Sequence, residues 1–195
     1  MKKTGILLLV VAFVSMSFTN PTNPIQKYNV DIENSTITWK GYKPTGSHEG
    51  TIKLQSGSLI EAGGVISEGI FTADMTSIKD ADGSARLEGH LKSADFFEVE
   101  TFPTATFKIL NVTTNDTNNK VWVSGEMTIK GITKKIKFPA SISNSDEAIT
   151  IASETFQINR AEFNVKYKSK TFFNDLKDKF VNDEFDLQVT IVAKK

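Results

Sequence analysis

The chain has 195 residues, 23 of them basic and 23 acidic, so its formal net charge is zero, and it contains no cysteine. A balanced charge argues against a nucleic-acid-binding domain, which is usually strongly basic. The absence of cysteine excludes a fold held together by disulfides. The length fits one domain with a sizeable hydrophobic core.

The N-terminus has the pattern of a secretory signal peptide. Two lysines follow Met1, an apolar run extends from Ile6 to Val14, and small residues lead to Ser17. This pattern predicts a signal peptide over residues 1–17, and the apolar run is too short for a permanent membrane anchor. The protein is therefore expected to be periplasmic or secreted, since a periplasm permits disulfides without requiring them.

Two segments are expected after the signal peptide. Residues 18–27 are rich in Asn, Pro and Thr, which predicts a flexible N-terminal tail. Residues 28–195 contain no internal repeat and no low-complexity linker, which indicates one domain. The sequence does not decide between a monomer and a dimer.

Apolar and polar residues alternate along most of this domain, as they do in strands with one buried face. About eight such runs predict an all-β fold, an eight-stranded antiparallel barrel with one short helix and a lid segment; a sandwich has the same strand count. The alternation slips in phase between Ile151 and Phe156, which predicts a β-bulge. A barrel of this size is either filled by its own side chains or holds one small ligand.

The inward face of the barrel is predicted to be apolar and continuous. Large apolar residues recur on the face opposite the Lys, Thr and Glu positions, so they are candidates for the wall of a ligand cavity. They are Trp39, Leu54, Phe71, Met75, Phe107, Val123, Met127, Phe138 and Phe185.

The strand pattern first breaks at LEGHLKSADFFEVETFPTATF, residues 87–107. Ser84 can cap a short amphipathic helix in which Leu87 and Leu91 share a face, and Pro103 returns the chain to an extended form. The segment is either a lid that closes one mouth of the barrel or a lid that lines an apolar cavity. The pattern alone does not separate these two interpretations.

Five residues of this segment are candidate site residues. Leu91, Phe96 and Phe97 are expected to seal one side of the cavity, because two adjacent aromatic residues bury more area than a surface lid needs. His90 and Lys92 are expected to orient the lid or to meet a polar end-group of the ligand.

A second break is NRAEFNVKYKSKTFFNDLKDKF, residues 159–180. Phe172 and Phe173 belong to a small apolar cluster that predicts a second cap or the rim of the entrance. Lysines alternate from Lys166 to Lys170 on the other side, which indicates a solvated face, with a surface for lipid headgroups as the alternative.

Neither a metal site nor a catalytic centre is predicted. The two histidines, His48 and His90, have no neighbours at metal-ligand spacing, so His90 is interpreted as a hydrogen-bonded residue under the lid. Asp80 begins a segment similar to a calcium loop, but Leu91 occupies the position of the bidentate carboxylate. No Gly-x-Ser-x-Gly elbow or triad pattern is present, so no catalytic residue is assigned.

Three motifs resemble those of the YceI-like family of exported bacterial proteins. They are GHLKSADFFEVETFPTATFK, VSGEMTIKGITKKIKF and INRAEFNV, and the similarity in spacing extends from about Tyr28 to Ala193. The resemblance implies a lipocalin-like barrel whose interior binds long apolar molecules, notably polyisoprenoid chains such as those of isoprenoid quinones. It implies no cofactor other than such a bound isoprenoid lipid or quinone.

The favoured hypothesis is non-enzymatic binding, transport or storage of an apolar isoprenoid-like lipid in the barrel interior. The expected partners are this lipid and, transiently, a membrane, with no nucleic acid. Two alternatives stay open: a small periplasmic hydrolase or isomerase acting on an apolar substrate, and a filled barrel with a structural or partner role.

Overall fold

The computed structural model describes residues 24–114 and 120–195. The expected signal peptide and most of the expected tail lie outside these residues. The described residues form ten strands, one α-helix and two 3-10 helices, and none of their helices is long and apolar enough to cross a membrane. In chain order the elements are β1 Ile25–Val30, β2 Thr36–Lys43, β3 Gly46–Ala62, β4 Val65–Asp80, α1 Ala85–Lys92, β5 Thr104–Thr114, β6 Lys120–Ile129, β7 Ile132–Asn144, β8 Ala148–Ser153, β9 Phe156–Asn159, the 3-10 helices Arg160–Phe163 and Lys177–Lys179, and β10 Glu184–Lys194.

The strands form one antiparallel sheet that closes on itself. The hydrogen-bonded order runs from β2 through β3, β4, β5, β6, β7 and β8 to β10, and β10 pairs in turn with β2. β8 and β9 pair with successive parts of β10, so they share one position in the sheet. β1 and β2 likewise share one position, because each pairs with β10 on one side and with β3 on the other. The ten strands thus occupy eight positions around a ring, which confirms the predicted eight-stranded antiparallel barrel. Closure removes the exposed sheet edges that a sandwich would leave.

Between Ile151 and Phe156, where the sequence predicts a β-bulge, the strand is completely interrupted. β8 ends at Ser153 and β9 begins at Phe156. The hydroxyl of Ser153 accepts a hydrogen bond from the backbone N–H of Val189 at 2.8 Å, and the N–H of Glu154 donates to the Pro139 carbonyl at 2.9 Å. These two bonds satisfy backbone groups that regular pairing would otherwise use, so the strand can break without leaving them unpaired.

β1 is a correction to the expected tail. The tail was expected to reach residue 27, but Ile25 already pairs with Ala62 of β3. Alternation could not reveal this strand, because Ile25 is exposed and Tyr28 is its one buried residue. The strand forms because β3 extends beyond β2 and presents unpaired backbone groups there. The Tyr28 hydroxyl also donates to Glu61 of β3 at 2.9 Å.

The two ends of the barrel are closed in different ways. At the end beside β1, the side chains of Leu59, Ile149 and Ala193 are completely buried in one apolar cluster. At the other end two segments cover the opening; we call residues 81–103 the first cap and residues 160–183 the second cap. Apolar residues of both caps pack there against β4.

Candidate ligand-binding site

The first cap holds two adjacent phenylalanines against the barrel opening. The helix begins as predicted, because the Ser84 hydroxyl accepts a hydrogen bond from the N–H of Leu87 at 3.3 Å. After α1 the chain turns back, and the N–H groups of Phe96 and Phe97 donate to the carbonyls of Ser93 and Leu91 at 3.0 and 3.1 Å. This turn buries the side chain of Phe96 and leaves Phe97 partly buried beneath the helix end.

Arg160 anchors the second cap. Its guanidinium group is buried and donates to three backbone carbonyls, those of Val165, Val181 and Asn182, at 2.8–2.9 Å. The carboxylate of Asp183 lies 3.4 Å from the same group and is also buried. One side chain therefore joins the beginning of the second cap to its end and satisfies carbonyls that no strand pairs.

The two caps contact each other through aromatic rings. The ring of His90 lies edge-on to Tyr167 of the second cap, with centroids 4.4 Å apart, and 5.5 Å from Phe96. The Arg160 guanidinium stands 5.4 Å above the Phe96 ring, within cation–π range. His90 Nε2 also lies 3.5 Å from the carboxylate of Asp95. These contacts place His90 between the first cap and the second cap, and its role stays a prediction.

A cavity of about 450 Å³, called here the outer cavity, lies between the barrel opening and the caps. Its volume is in the range of about 300–1,000 Å³ that is usual for ligand pockets. The barrel contributes Trp39, Gly41 and Ile78, and the second cap contributes Tyr167 and Phe180. The lining is apolar in its depth, with charged side chains such as Lys168 and Lys179 at its border.

A second, inner cavity of about 120 Å³ lies deeper, among inward-facing residues of the strands. Ile52, Phe97 and Phe185 line both cavities, so these three side chains stand between them. Phe97 and Phe185 are both only partly buried. The first cap thus supplies one of the three side chains that separate the cavities.

All predicted site residues except Lys92 line a cavity, and they fall into three groups. Trp39, His90, Leu91 and Phe96 line the outer cavity. Phe97 and Phe185 line both cavities. The remaining seven line the inner cavity: Leu54, Phe71, Met75, Phe107, Val123, Met127 and Phe138.

Lys92 is the exception, because it lines neither cavity. It follows Leu91, so its side chain points about 100° away around the helix. The same side of α1 carries Glu88, which is buried beside β4 and forms an ion pair with Lys79 at 2.9 Å. The structure therefore gives no support to contact between Lys92 and a ligand end-group.

Trp39 contributes apolar surface to the outer cavity and also carries an indole N–H that makes no hydrogen bond. Its indole N–H is buried and has no hydrogen-bond partner among the described residues. A buried donor without a partner costs about 1–3 kcal/mol, so such groups usually have a function. Trp39 lines the outer cavity, so a shift of its ring would bring this donor within reach of a ligand oxygen there.

Tyr42, also at the outer cavity, is already paired. Its hydroxyl donates to Asp186 at 2.6 Å, and this hydrogen bond is the main reason why the pKa of Tyr42 is raised. Gln157 donates to the other oxygen of the same carboxylate at 3.0 Å. Tyr42 is therefore held in its neutral form and is not activated as a base or a nucleophile.

One group in the described ranges could hold a metal ion. His48, Asp80 and Asp82 each place a ligand atom within 4.8 Å of the others, and one imidazole with carboxylates suits zinc. His48 Nδ1 and Asp80 Oδ1 are both buried without a hydrogen-bond partner, but they lie 3.8 Å from each other. A small side-chain shift would pair them directly, so the geometry does not require an ion.

Sequence reasoning missed two kinds of site residue. Arg160 lies in the motif INRAEFNV, but a lone arginine carries no signal of burial, so the sequence predicts no role for it. Tyr167 and Phe180 belong to the second break of the strand pattern, which predicts a cap or the rim of the entrance without identifying either residue as part of a cavity wall. Their positions depend on how the second cap folds over the barrel, and the alternation pattern does not encode this.

A closed β-barrel with an apolar cavity under two caps is the architecture of small ligand-binding barrels. The chain matches the YceI-like domain family over residues 28–193. It therefore belongs to the YceI-like family, as its motifs indicated. No curated protein matches the chain significantly.

Solved structures support the same fold. Burkholderia cenocepacia BcnA is 22% identical, with a TM-score of 0.64, over 85% of this chain and 99% of that protein. A polyisoprenoid binding domain from Saccharophagus degradans, implicated in plant cell wall breakdown, is 15% identical, with a TM-score of 0.64, over 86% and 97%. The Campylobacter jejuni YceI protein is 16% identical, with a TM-score of 0.54, over 100% and 99%.

Proposed function

We propose that this protein binds a single-chain apolar lipid of the polyisoprenoid type and carries or stores it, in the periplasm or outside the cell. The observation that carries the proposal is the pair of cavities that share Ile52, Phe97 and Phe185 in their linings. A long, narrow apolar molecule suits two spaces in line better than a compact one does. The polyisoprenoid binding domain with the same fold supports this class of ligand.

The sizes of the cavities set the expected mode of binding. The outer cavity can take part of a ligand as it stands, whereas the inner cavity of about 120 Å³ is smaller than the roughly 150 Å³ that suits one benzene ring. A chain that reaches the inner cavity must displace Phe97 or Phe185. Each buried CH₂ contributes about 0.8 kcal/mol, so a few isoprene units offset that rearrangement.

The polar end of the ligand is expected to remain in the outer cavity. Trp39 lines this cavity and carries a buried N–H without a partner, which a shift of the ring would offer to an acceptor such as a quinone or alcohol oxygen. Catalysis on the same ligand has less support, because Tyr42 is held neutral by Asp186. We therefore favour binding over the hydrolase or isomerase alternative.

A substitution that fills the outer cavity tests the proposal. A Cβ added at Gly41, which lines this cavity, would have no heavy atom within 4 Å, so the side chain of Gly41→Leu begins in open space beside the cavity. Gly89→Leu on the exposed side of α1 is the matched control, since a Cβ there also meets nothing and Gly89 lines neither cavity.

The readout is displacement of a fluorescent fatty probe by polyprenols of increasing length. Gly41→Leu should weaken polyprenol binding by at least about tenfold, since a side chain of Leu size removes several buried CH₂ contacts. Gly89→Leu should bind like the wild type. Equal binding by Gly41→Leu and the wild type would place the ligand outside this cavity and defeat the proposal.

A further inference from the structure

The tip of the second cap presents two phenylalanines to solvent. The side chains of Phe172 and Phe173 are 40% and 48% exposed, although both are large and apolar. Their N–H groups donate to the carbonyl of Ser169 at 3.2 and 3.0 Å, and Ser169 itself is completely buried. A tight turn with a buried base therefore holds both rings outward. The sequence had suggested an apolar cluster here, but neither ring is buried.

Positive charge surrounds these rings. Residues 166–180 contain five lysines and two aspartates, a net charge of +3 in a chain whose formal net charge is zero. None of these lysines forms a salt bridge within the described part of the chain. The Lys166 ammonium lies 5.3 Å from the ring centroid of Phe172, so cationic and aromatic groups are interleaved.

The same segment borders the outer cavity. Lys168, Lys179 and Phe180 belong to its lining. The Lys170 ammonium lies 3.4 Å from the ring centroid of Phe180, which connects the exposed tip to the cavity wall. Buried Arg160 and Thr171, whose hydroxyl donates to Asp183 at 2.8 Å, join the base of this segment to the end of the second cap. There the N–H of Asn182 donates to the Tyr42 carbonyl of β2 at 2.9 Å. The exposed patch thus lies at a fixed position on the rim of the cavity.

We propose that the tip of the second cap, residues 166–180, is a docking surface for an anionic lipid bilayer. Exposed aromatic rings insert at the level of the headgroups, and lysines around them are attracted by anionic lipids. A second copy of this chain is a poorer occupant, since a symmetric contact would bring two segments of charge +3 together. The docking surface deepens the proposed function, because it places the cavity rim where a membrane-dissolved lipid can enter.

Co-sedimentation with vesicles tests this surface. The wild type should bind vesicles of phosphatidylglycerol and phosphatidylcholine in equal parts, and bind pure phosphatidylcholine much more weakly. Phe172→Ser with Phe173→Ser should reduce binding to the mixed vesicles by at least about tenfold. The matched control is Ile70→Ser with Leu110→Ser, which removes side chains that are 50% and 45% exposed on the outside of β4 and β5.

Lys166→Gln with Lys170→Gln should weaken binding and flatten its salt dependence, because charges near the surface are screened by salt. The docking surface is wrong if the wild type does not bind mixed vesicles, if pure phosphatidylcholine binds equally well, or if the control pair reduces binding as much. Loss of self-association in the serine pair, without a change in vesicle binding, would assign the patch to a second copy instead.

Polyprenol added from detergent, without vesicles, separates this proposal from the carrier function. The serine pair should still bind polyprenol in that assay, since Phe172 and Phe173 line neither cavity. A wild type that docks on vesicles but binds no polyprenol would reject the carrier function and keep the docking surface. Loss of polyprenol binding by the serine pair would show that the rings act in the cavity and overturn the docking role.

Discussion

The two ends of the barrel use similar residues for different purposes. At the end beside β1, Leu59 and Ile149 are fully buried and side chains fill the interior. At the capped end, Trp39, Phe97 and Phe185 are only partly buried and surround open space. Apolar residues alone therefore do not define a ligand site. What distinguishes the capped end is that two irregular segments, rather than converging strands, close it.

The difference between the two ends also predicts which substitutions change the stability of the fold and which change ligand affinity. Packing at the closed end is complementary, so changes there should affect folding. The capped end is held by a few polar anchors, of which Arg160 is the most connected. Substitutions of these anchors, of cavity residues and of the closed end should therefore have distinct effects on unfolding and on ligand affinity.

The largest effect is expected from Arg160→Met. It removes three hydrogen bonds to carbonyls and leaves Asp183 as a buried, unpaired charge, which should lower the free energy of unfolding by about 3–5 kcal/mol. Arg86→Met, at the exposed arginine of α1, is the matched control and should change it by less than about 0.5 kcal/mol. Urea unfolding measures both. Similar small changes in the two variants would mean that Arg160 does not anchor the second cap.

Alanine substitutions at Gly125 and Gly41 compare the stability cost of added volume in the packed barrel wall with its cost beside the outer cavity. A Cβ at Gly125 would lie 2.4 Å from both Phe107 Cζ and the Lys108 carbonyl oxygen, so Gly125→Ala should destabilise by about 1–3 kcal/mol. Gly41→Ala, beside the outer cavity, should change stability by less than about 0.5 kcal/mol, because a Cβ there meets nothing within 4 Å. Thermal and urea unfolding give the two values. Equal destabilisation would remove the contrast between the packed wall and the outer cavity.

Trp39→Phe should separate the polar from the apolar part of binding. It deletes the unpaired N–H, so the ligand-free protein should be unchanged or slightly more stable. Affinity for a polyprenol or quinone should fall by about three- to tenfold, while affinity for a hydrocarbon of the same length stays nearly constant. Titration calorimetry with the two ligands measures this difference. An equal fall for both ligands would show that Trp39 contributes surface but no hydrogen bond.

The smallest effect should come from Asp31, far from both cavities. Lys194 at 2.6 Å and Asn34 lower its pKa from 3.8 to about 2. Because the folded-state pKa is depressed, its stabilising contribution is complete above the ordinary pKa and is lost as the pH falls towards 2. Asp31→Asn should therefore have a flatter profile of melting temperature in this acid range, with ligand affinity unchanged. A profile identical to the wild type would rule out a role of this carboxylate in acid stability.

The sequence was sufficient for the barrel because alternation reports which side of a strand is buried. All nine predicted wall residues line a cavity for that reason. The same signal fails where the register shifts. Val65 alternates in phase with the inward residue Phe71, but β4 buries Ile66 instead, beside an irregularity in its pairing with β3. It also fails for β1, whose side chains are mostly outside, although its backbone pairs with β3.

The caps were only partly predictable. Ser84 and the spacing of Leu87 and Leu91 are local signals, so the helix was found. The burial of Arg160 and the exposure of Phe172 depend on contacts between distant segments, and no local pattern encodes them. Which side chains of a cap face the cavity therefore depends on the tertiary fold and cannot be predicted from the sequence of the cap alone.

The most direct test of the central claim is mass spectrometry of an organic extract of the protein purified from its own cells without detergent. The wild type and Gly89→Leu should each carry a polyisoprenoid lipid in near-stoichiometric amount, and Gly41→Leu should carry little or none. Wild-type protein without any lipid, or Gly41→Leu with as much lipid as the wild type, would contradict the assignment of the capped cavities as a lipid-binding site.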